Sequence, residues 1–184
     1  MPLFLMTILW ILFFLTLAAW VMTTIVQIFN FWFSLDKRRC FYVPSKDKGL
    51  IGIFKEEVSA DKRYFYDLGS GDGRILRLAK KDFPDLEAVG YELNPILSSY
   101  SRILNRISKI DIQILRSDFL EANLQNNSII YIFLRPQLLL ELKNSFSALK
   151  NSVIVSHGFP IPYLENRLTK KVYGEPFNTY IYRL

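Results

Sequence analysis

Charge is missing from the start of this chain. Between Leu3 and Phe33 there is no Asp, Glu, Lys or Arg, and the first charged residue is Asp36. The run exceeds the ~20 residues that cross ~30 Å of hydrocarbon. It is also too long for the apolar core of roughly 7–15 residues in a cleaved secretory signal. No basic residue precedes it, and its small pair, Ala18-Ala19, lies mid-run rather than at a cleavage point. The lack of Arg argues against a mitochondrial presequence, which is Arg-rich and amphipathic. Size argues against a buried core helix, because 184 residues could hardly cover such a helix on every side. An uncleaved transmembrane helix is the expectation.

Cysteine and histidine are nearly absent. The one cysteine, Cys40, rules out an internal disulfide and any multi-cysteine zinc site. With one histidine, His157, no metal site is expected. Internal repeats are lacking, and the apolar run is the one segment of biased composition. No nucleic-acid-binding motif accompanies the net charge of +6, so no nucleic-acid partner is expected. Nothing in the sequence defines an oligomeric state, and the anchor has no Gly-x-x-x-Gly pairing motif.

What is present falls into three parts: an anchor over 1–35, a linker with an amphipathic helix over 36–63, and an α/β domain over 64–184. Lys37, Arg38 and Arg39 follow the anchor directly, so the positive-inside rule places the C-terminal domain in the cytoplasm of a single-pass membrane protein. Phe31, Trp32 and Phe33 suit an interfacial aromatic belt on that side. Positive charge beyond Asp36 suits an anionic membrane surface and equally an ordinary basic exterior.

Leu50, Ile51, Phe54 and Val58 recur at helical spacing, which predicts a helix over Lys48–Ser59. Strands and helices then alternate. Strands are expected at Tyr64–Leu68, Glu87–Tyr91, Ile112–Leu115, Ser128–Leu134 and Val153–Ser156. Helices are expected at Gly73–Lys81, from Pro95, and from Pro136. Their inward faces read as Ile75, Leu78 and Ala79; as Ile96, Leu97, Tyr100, Ile103, Leu104 and Ile107; and as Leu139, Leu142, Phe146 and Leu149. Thr169–Tyr173 and Phe177–Tyr182 form a closing hairpin around Gly174-Glu175-Pro176. The fold class is α/β: a Rossmann-like, mostly parallel sheet with a C-terminal antiparallel hairpin, preceded by one transmembrane helix.

Three strand ends carry the chemistry. Asp67-Leu68-Gly69-Ser70-Gly71-Asp72-Gly73 follows a strand and opens a helix, the setting of a nucleotide-type loop. Its third glycine comes one residue too early for the dinucleotide fingerprint, and Gly-Lys-Ser/Thr is missing. Asp67 would repel a pyrophosphate and suit the cationic end of a ligand. Glu92 ends the second strand about twenty residues on, where Rossmann-type sites hold ribose hydroxyls. Leu93 follows it in Tyr91-Glu92-Leu93-Asn94-Pro95. Ser117-Asp118-Phe119 follows the third strand; the carboxylate can accept from an adenine amino group and the ring can pack on the base. Asp118 also reads as a helix cap.

In that order these residues resemble the nucleoside-binding motifs of class I S-adenosylmethionine (SAM)-dependent methyltransferases, over nearly all of 36–184. SAM is then the cofactor, held by Asp67, Gly69, Ser70, Gly71, Gly73, Glu92, Leu93, Asp118 and Phe119. Tyr42-Val43-Pro44, the Asp67–Ile75 run, Gly90–Pro95, Phe159-Pro160-Ile161-Pro162 and the Tyr180/Tyr182 tail are similar to a narrower family. Its members are membrane-tethered protein-lysine methyltransferases, whose mitochondrial representatives modify the ATP synthase c subunit and the adenine nucleotide translocase. The resemblance implies lysine N-methylation of a membrane protein. Two positions depart from the family: Ile96 replaces an aromatic residue after Asn-Pro, and Gly158, preceded by His157, replaces an Arg before Phe-Pro.

The fourth strand runs into Phe133-Leu134-Arg135-Pro136 and lacks the Asp/Asn-Pro-Pro-Tyr/Phe sequence that amino methylation of DNA bases would use. Phe133, Leu134, Pro136 and Pro44 are expected to rim the methyl-acceptor pocket. Displacement at a sulfonium demands alignment and a dehydrated cleft more than a strong base. Tyr42 and His157 are the weak catalytic candidates. Two other readings stand beside this one: a methyltransferase of a lipid, quinone or other hydrophobic small molecule, and a non-catalytic SAM-binding membrane scaffold.

Overall fold

The computed structural model describes residues 3–34, 49–59 and 61–184. The chain divides into two compact units, Met1–Phe41 and Tyr42–Leu184. Asp36, Lys37, Arg38, Arg39, Cys40, Tyr42, Val43, Pro44 and the side chains of Trp32 and Phe33 lie outside the described residues.

The first unit is a helix, α1, over Leu3–Ser34. Its stretch Phe4–Phe29 is long and apolar enough to cross a membrane. The hydroxyls along it do not stand free. Thr16 donates to the Phe13 carbonyl at 2.9 Å, and Thr23 and Thr24 donate to the Trp20 carbonyl at 2.7 and 2.9 Å. Such back-bonding lets a polar side chain sit in an apolar helix without an unsatisfied donor.

In the second unit, α2 (Leu50–Glu57) leads into a seven-stranded sheet. The strands are β1 (Tyr64–Leu68), β2 (Glu87–Tyr91), β3 (Gln113–Leu115), β4 (Ser128–Ile132), β5 (Val153–His157), β6 (Leu168–Val172) and β7 (Thr179–Arg183). Their order is β3-β2-β1-β4-β5-β7-β6. The first five are mutually parallel, and β7 runs antiparallel to both β5 and β6. Between them come α3 (Arg74–Asp82), α4 (Pro95–Ser108), α5 (Pro136–Glu141) and α6 (Lys143–Ser147). The chain lays β2 and β3 on one side of β1 and then returns to place β4 on the other. A crevice opens at such a switch point, outside the carboxyl ends of the strands.

The sheet forms because its central strands can be covered on both faces. Every residue of β4 is buried, as its unbroken apolar run requires. Phe54 of α2 is fully buried, edge-on to Phe65 of β1 at 5.0 Å and to Tyr131 of β4 at 5.9 Å. Burying one such ring contributes about 1.5–3 kcal/mol. The helix from Pro136 breaks at Leu142 into two short helices, with Leu139, Leu142, Phe146 and Leu149 all buried as expected. On α3 the inward residue is Leu76 rather than Leu78, which is only partly covered.

The expectation for α4 fails for half of its residues: Ile96, Leu97 and Leu104 are half-buried, but the rest of the face points outward. Its buried residues are Ser98, Ser101 and Asn105, whereas Tyr100, Ile103 and Ile107 are 49%, 54% and 71% exposed. The reason is close approach to the start of α3: a Cβ at Gly73 would fall 2.2 Å from the Ser101 hydroxyl. Only small side chains fit that contact, so the helix turns its polar stripe inward and its apolar stripe outward.

Candidate cofactor-binding site

The loop after β1 is held by backbone and side-chain ties rather than by packing. The amides of Gly69 and Ser70 donate to the Tyr91 carbonyl at 2.9 and 3.0 Å, and that of Gly73 to the Ser70 carbonyl at 2.8 Å. Gly69, Gly71 and Gly73 all have positive φ, of 89°, 55° and 75°. At Gly73 both the left-handed backbone and the contact with Ser101 require glycine. Asp72 accepts from the Arg74 amide at 2.9 Å, and Arg77 donates to the Asp72 carbonyl at 2.7 Å and the Asn105 amide oxygen at 3.1 Å. Neither arginine neutralises Asp72 closely, since each guanidinium stands 3.9 Å from its carboxylate.

Glu92 joins this loop to the next crossover. One carboxylate oxygen accepts from the Gly71 amide at 2.8 Å, the other from the Asn94 amide at 2.7 Å. Asn94 in turn caps α4 by accepting from the Ile96 and Leu97 amides at 2.9 and 3.3 Å. Each Glu92 oxygen retains acceptor capacity for a hydroxyl. After β3, Asp118 caps a short 3-10 turn, Phe119–Glu121, by accepting from the Leu120 amide at 3.0 Å, while the Phe119 ring is buried.

The electrostatics are those of a site for a cation. Asp67 is buried at the end of β1, and no hydrogen bond to its carboxylate is present among the described residues. Burial, with Glu92 and Asp72 adding to it, pushes its carboxyl well above the usual carboxylate range. Burial also raises Glu92, against the opposing amides of Asn94 and Gly71. The Ser70 hydroxyl is buried and has no hydrogen-bond partner among the described residues. An under-satisfied acidic cradle of this kind fits a ligand with a cationic end and free hydroxyls, which is what SAM presents.

At the same strand edge lies a ring cluster. Phe133 meets His157 at 4.8 Å and Phe177 at 5.1 Å, and His157 meets Phe177 at 5.8 Å. His157 Nδ1 is 2.9 Å from the Thr179 hydroxyl, and burial lowers the imidazole pKa. Gly158 has φ 93°, and a Cβ there would fall 2.8 Å from the Phe133 ring. This loop therefore has no room for the Arg that the resemblance expects at position 158.

The structure thus brings Asp67, Gly69, Ser70, Gly71, Gly73 and Glu92 into one loop system, with Leu93 half-buried beside it and Asp118 and Phe119 after the neighbouring strand. Leu134 sits against the loop, 3.2 Å from where a Gly69 Cβ would be. Pro136 is exposed at the start of α5, and Tyr42 and Pro44 lie outside the described residues. Phe177 escaped the sequence reading. Its signal was its place just before the closing strand, which antiparallel pairing returns to His157.

A parallel sheet with a glycine loop after β1, an acid after β2, an acidic-aromatic pair after β3 and a switch point between β1 and β4 defines the class I SAM-dependent methyltransferases. SAM is the cofactor of that class. An RNA methyltransferase from Salinibacter ruber, solved with S-adenosyl-L-homocysteine, superposes with a TM-score of 0.65 at 25% identity, over 76% of this chain and 92% of that one.

Within the class, the chain belongs to the ANTKMT methyltransferase domain family, whose family model matches residues 67–167. It is 30% identical over 135 residues to a protein-lysine N-methyltransferase from Saccharolobus islandicus, covering 65% of this chain and 77% of that protein. It is 33% identical over 131 residues to the human lysine N-methyltransferase of the ATP synthase c subunit, with 66% of this chain but only 53% of the human protein covered. The chain therefore spans about half the length of its human relative.

Proposed function

We propose that this chain is a protein-lysine N-methyltransferase of a membrane protein, tethered by residues 1–35, linked through 36–63, and catalytic over 64–184. The observation that carries the reading is the match to protein-lysine N-methyltransferases over about two thirds of this chain, beside the family match on residues 67–167. The N-terminal helix and the membrane-embedded target named for the human relative support a substrate at the membrane. Lys37, Arg38 and Arg39 favour a cytoplasmic catalytic domain.

In this reading Asp67 meets the amino group of SAM, Glu92 the ribose hydroxyls, and Asp118 and Phe119 the adenine. The loop Gly69–Gly73 and Leu93 complete the cradle. SAM supplies an electrophilic methyl on a sulfonium. The chain supplies alignment and dehydration. Phe133, His157 and Phe177 form an aromatic entrance that favours a lysine ammonium through its ring faces. Deeper in, the lysine nitrogen must lose its proton, and apolar surroundings beside a cation favour the neutral amine. His157 is held neutral by burial, the form that accepts a proton. Leu134 walls the loop side of the pocket, with Phe133 and Pro136 at its rim.

The test is methyl transfer by the full-length chain from radiolabelled SAM into membranes of cells lacking it. Label on lysine of a single protein band supports the reading. Label in the extractable lipid phase assigns the enzyme to a hydrophobic small molecule instead. Bound SAM with no label transferred makes the chain a scaffold.

A further inference from the structure

The outward apolar face of α4 is unaccounted for by the fold or by the cofactor site. Half-buried Ile96 and exposed Tyr100, Ile103 and Ile107 fall at i, i+4, i+7 and i+11, one continuous stripe. At ~1.5 Å per residue it runs about 16 Å along the surface. It is not a stripe that failed to reach the core, because the opposite face holds the helix down. Ser98, Ser101 and Asn105 are buried, and Arg77 of α3 donates to Asn105 at 3.1 Å. The orientation is fixed, and apolar residues are what it presents to the outside.

The surroundings select the occupant. α4 contains no acidic residue. Arg102, Arg106 and Lys109 are exposed along and just beyond it. Arg102 uses its guanidinium on the Ile114 carbonyl at 2.9 and 3.1 Å, which keeps that charge alongside the helix. Isoleucines with a tyrosine on one face and exposed cations beside them are the composition of a helix that lies in a membrane interface. Tyrosine suits that depth, with an apolar ring and a wet hydroxyl. The same chain carries a helix apolar enough to cross a bilayer.

We infer that α4 docks its Ile96/Tyr100/Ile103/Ile107 face into the headgroup region of an anionic bilayer. This rests on the reading of α1 as a membrane anchor. Docking has a consequence for the reaction: α4 starts at the carboxyl edge of the sheet, with Asn94 bonded to Glu92. A bilayer-docked α4 therefore holds the mouth of the cofactor cleft at headgroup level, where it takes a lysine emerging from a membrane protein at the interface.

The experiment attaches a nitroxide to the full-length chain at Ile103→Cys, in a Cys40→Ser background, and reconstitutes it in nanodiscs of phosphatidylcholine with or without phosphatidylglycerol. Accessibility to oxygen, which concentrates in lipid, is compared with accessibility to a water-soluble nickel chelate. The same label at Leu15→Cys reports the anchor. The inference predicts several-fold more oxygen than nickel accessibility at position 103, stronger with phosphatidylglycerol. A label at 103 as nickel-accessible as one at exposed Lys143→Cys overturns docking, while lipid exposure at 15 leaves the anchor standing. Nickel access at both 103 and 15 fails the anchor reading as well. Low access to both relaxants at 103 overturns the lipid assignment, because protein then covers the stripe, whether a second copy, the substrate or residues 35–48 of this chain.

Discussion

The two edges of the sheet use the same residue types to opposite ends. At the amino edge, polar groups satisfy one another. Asp61 accepts from Ser59, Lys62 and Asn151, and these bonds hold its carboxyl below the usual range. Lys62 also donates to the Asn151 carbonyl at 2.9 Å, and Arg183 closes on buried Glu57 through two bonds at 3.1 and 3.2 Å. At the carboxyl edge, Asp67 has no such partner among the described residues, Glu92 accepts from backbone amides such as those of Gly71 and Asn94, and both carboxyls are raised. Acids that bond inward hold the strands together. Acids left under-satisfied beside a glycine loop are available to a ligand, and a raised pKa is the mark of that missing satisfaction.

The contrast is broken most forcefully at Asp67. Asp67→Asn is expected to weaken SAM binding by about 10–100-fold, the worth of a charge-assisted hydrogen bond of ~1.5–3 kcal/mol. It leaves the ligand-free melting temperature at neutral pH unchanged or higher, because an acid with a raised folded pKa destabilises once ionised. Calorimetric titration and thermal melts check both halves. A variant that melts early would put Asp67 among the structural acids.

The pH dependence sharpens the same point. A cationic ligand end selects the Asp67 carboxylate. Affinity therefore rises with pH from the ordinary carboxylate range up through the raised value, by at most about tenfold per unit for one proton, and then levels off. Titrations in buffers of different ionisation enthalpy should register proton release within that window.

A smaller effect is expected at the ring cluster. Phe177→Ala should raise KM for the lysine acceptor several-fold, as loss of ring contacts worth about 0.5–1.5 kcal/mol implies. SAM affinity should stay unchanged; a shift in SAM affinity alone would move Phe177 out of the acceptor pocket. Least of all, Asp61→Asn should leave SAM binding untouched. Its lowered pKa contributes stability above the ordinary carboxylate range and loses it as pH falls through the folded value. The melting gap to wild type should accordingly close in acid.

Much of this was legible in the sequence. β1 and β2 stand at the residues expected, because strands buried in a parallel sheet read as short apolar runs cut by a glycine loop and an acidic end. The glycine loop, Glu92 and Asp118 were legible because strand ends bring them to one edge whatever the packing. α4 was not, because hydrophobic periodicity says which residues share a face and not which way that face points. The choice was made by Ser101 and Gly73, a steric contact between residues 28 apart. Phe177 was hidden for a related reason, since only the antiparallel return of β7 beside β5 carries it to His157 and Phe133.

The most direct measurement is a crystal structure of the full chain with S-adenosyl-L-homocysteine. The account predicts the ligand's amino group at Asp67, its ribose hydroxyls on Glu92 and its adenine beside Asp118 and Phe119. A ligand seated elsewhere, with Asp67 and Glu92 untouched, would contradict it.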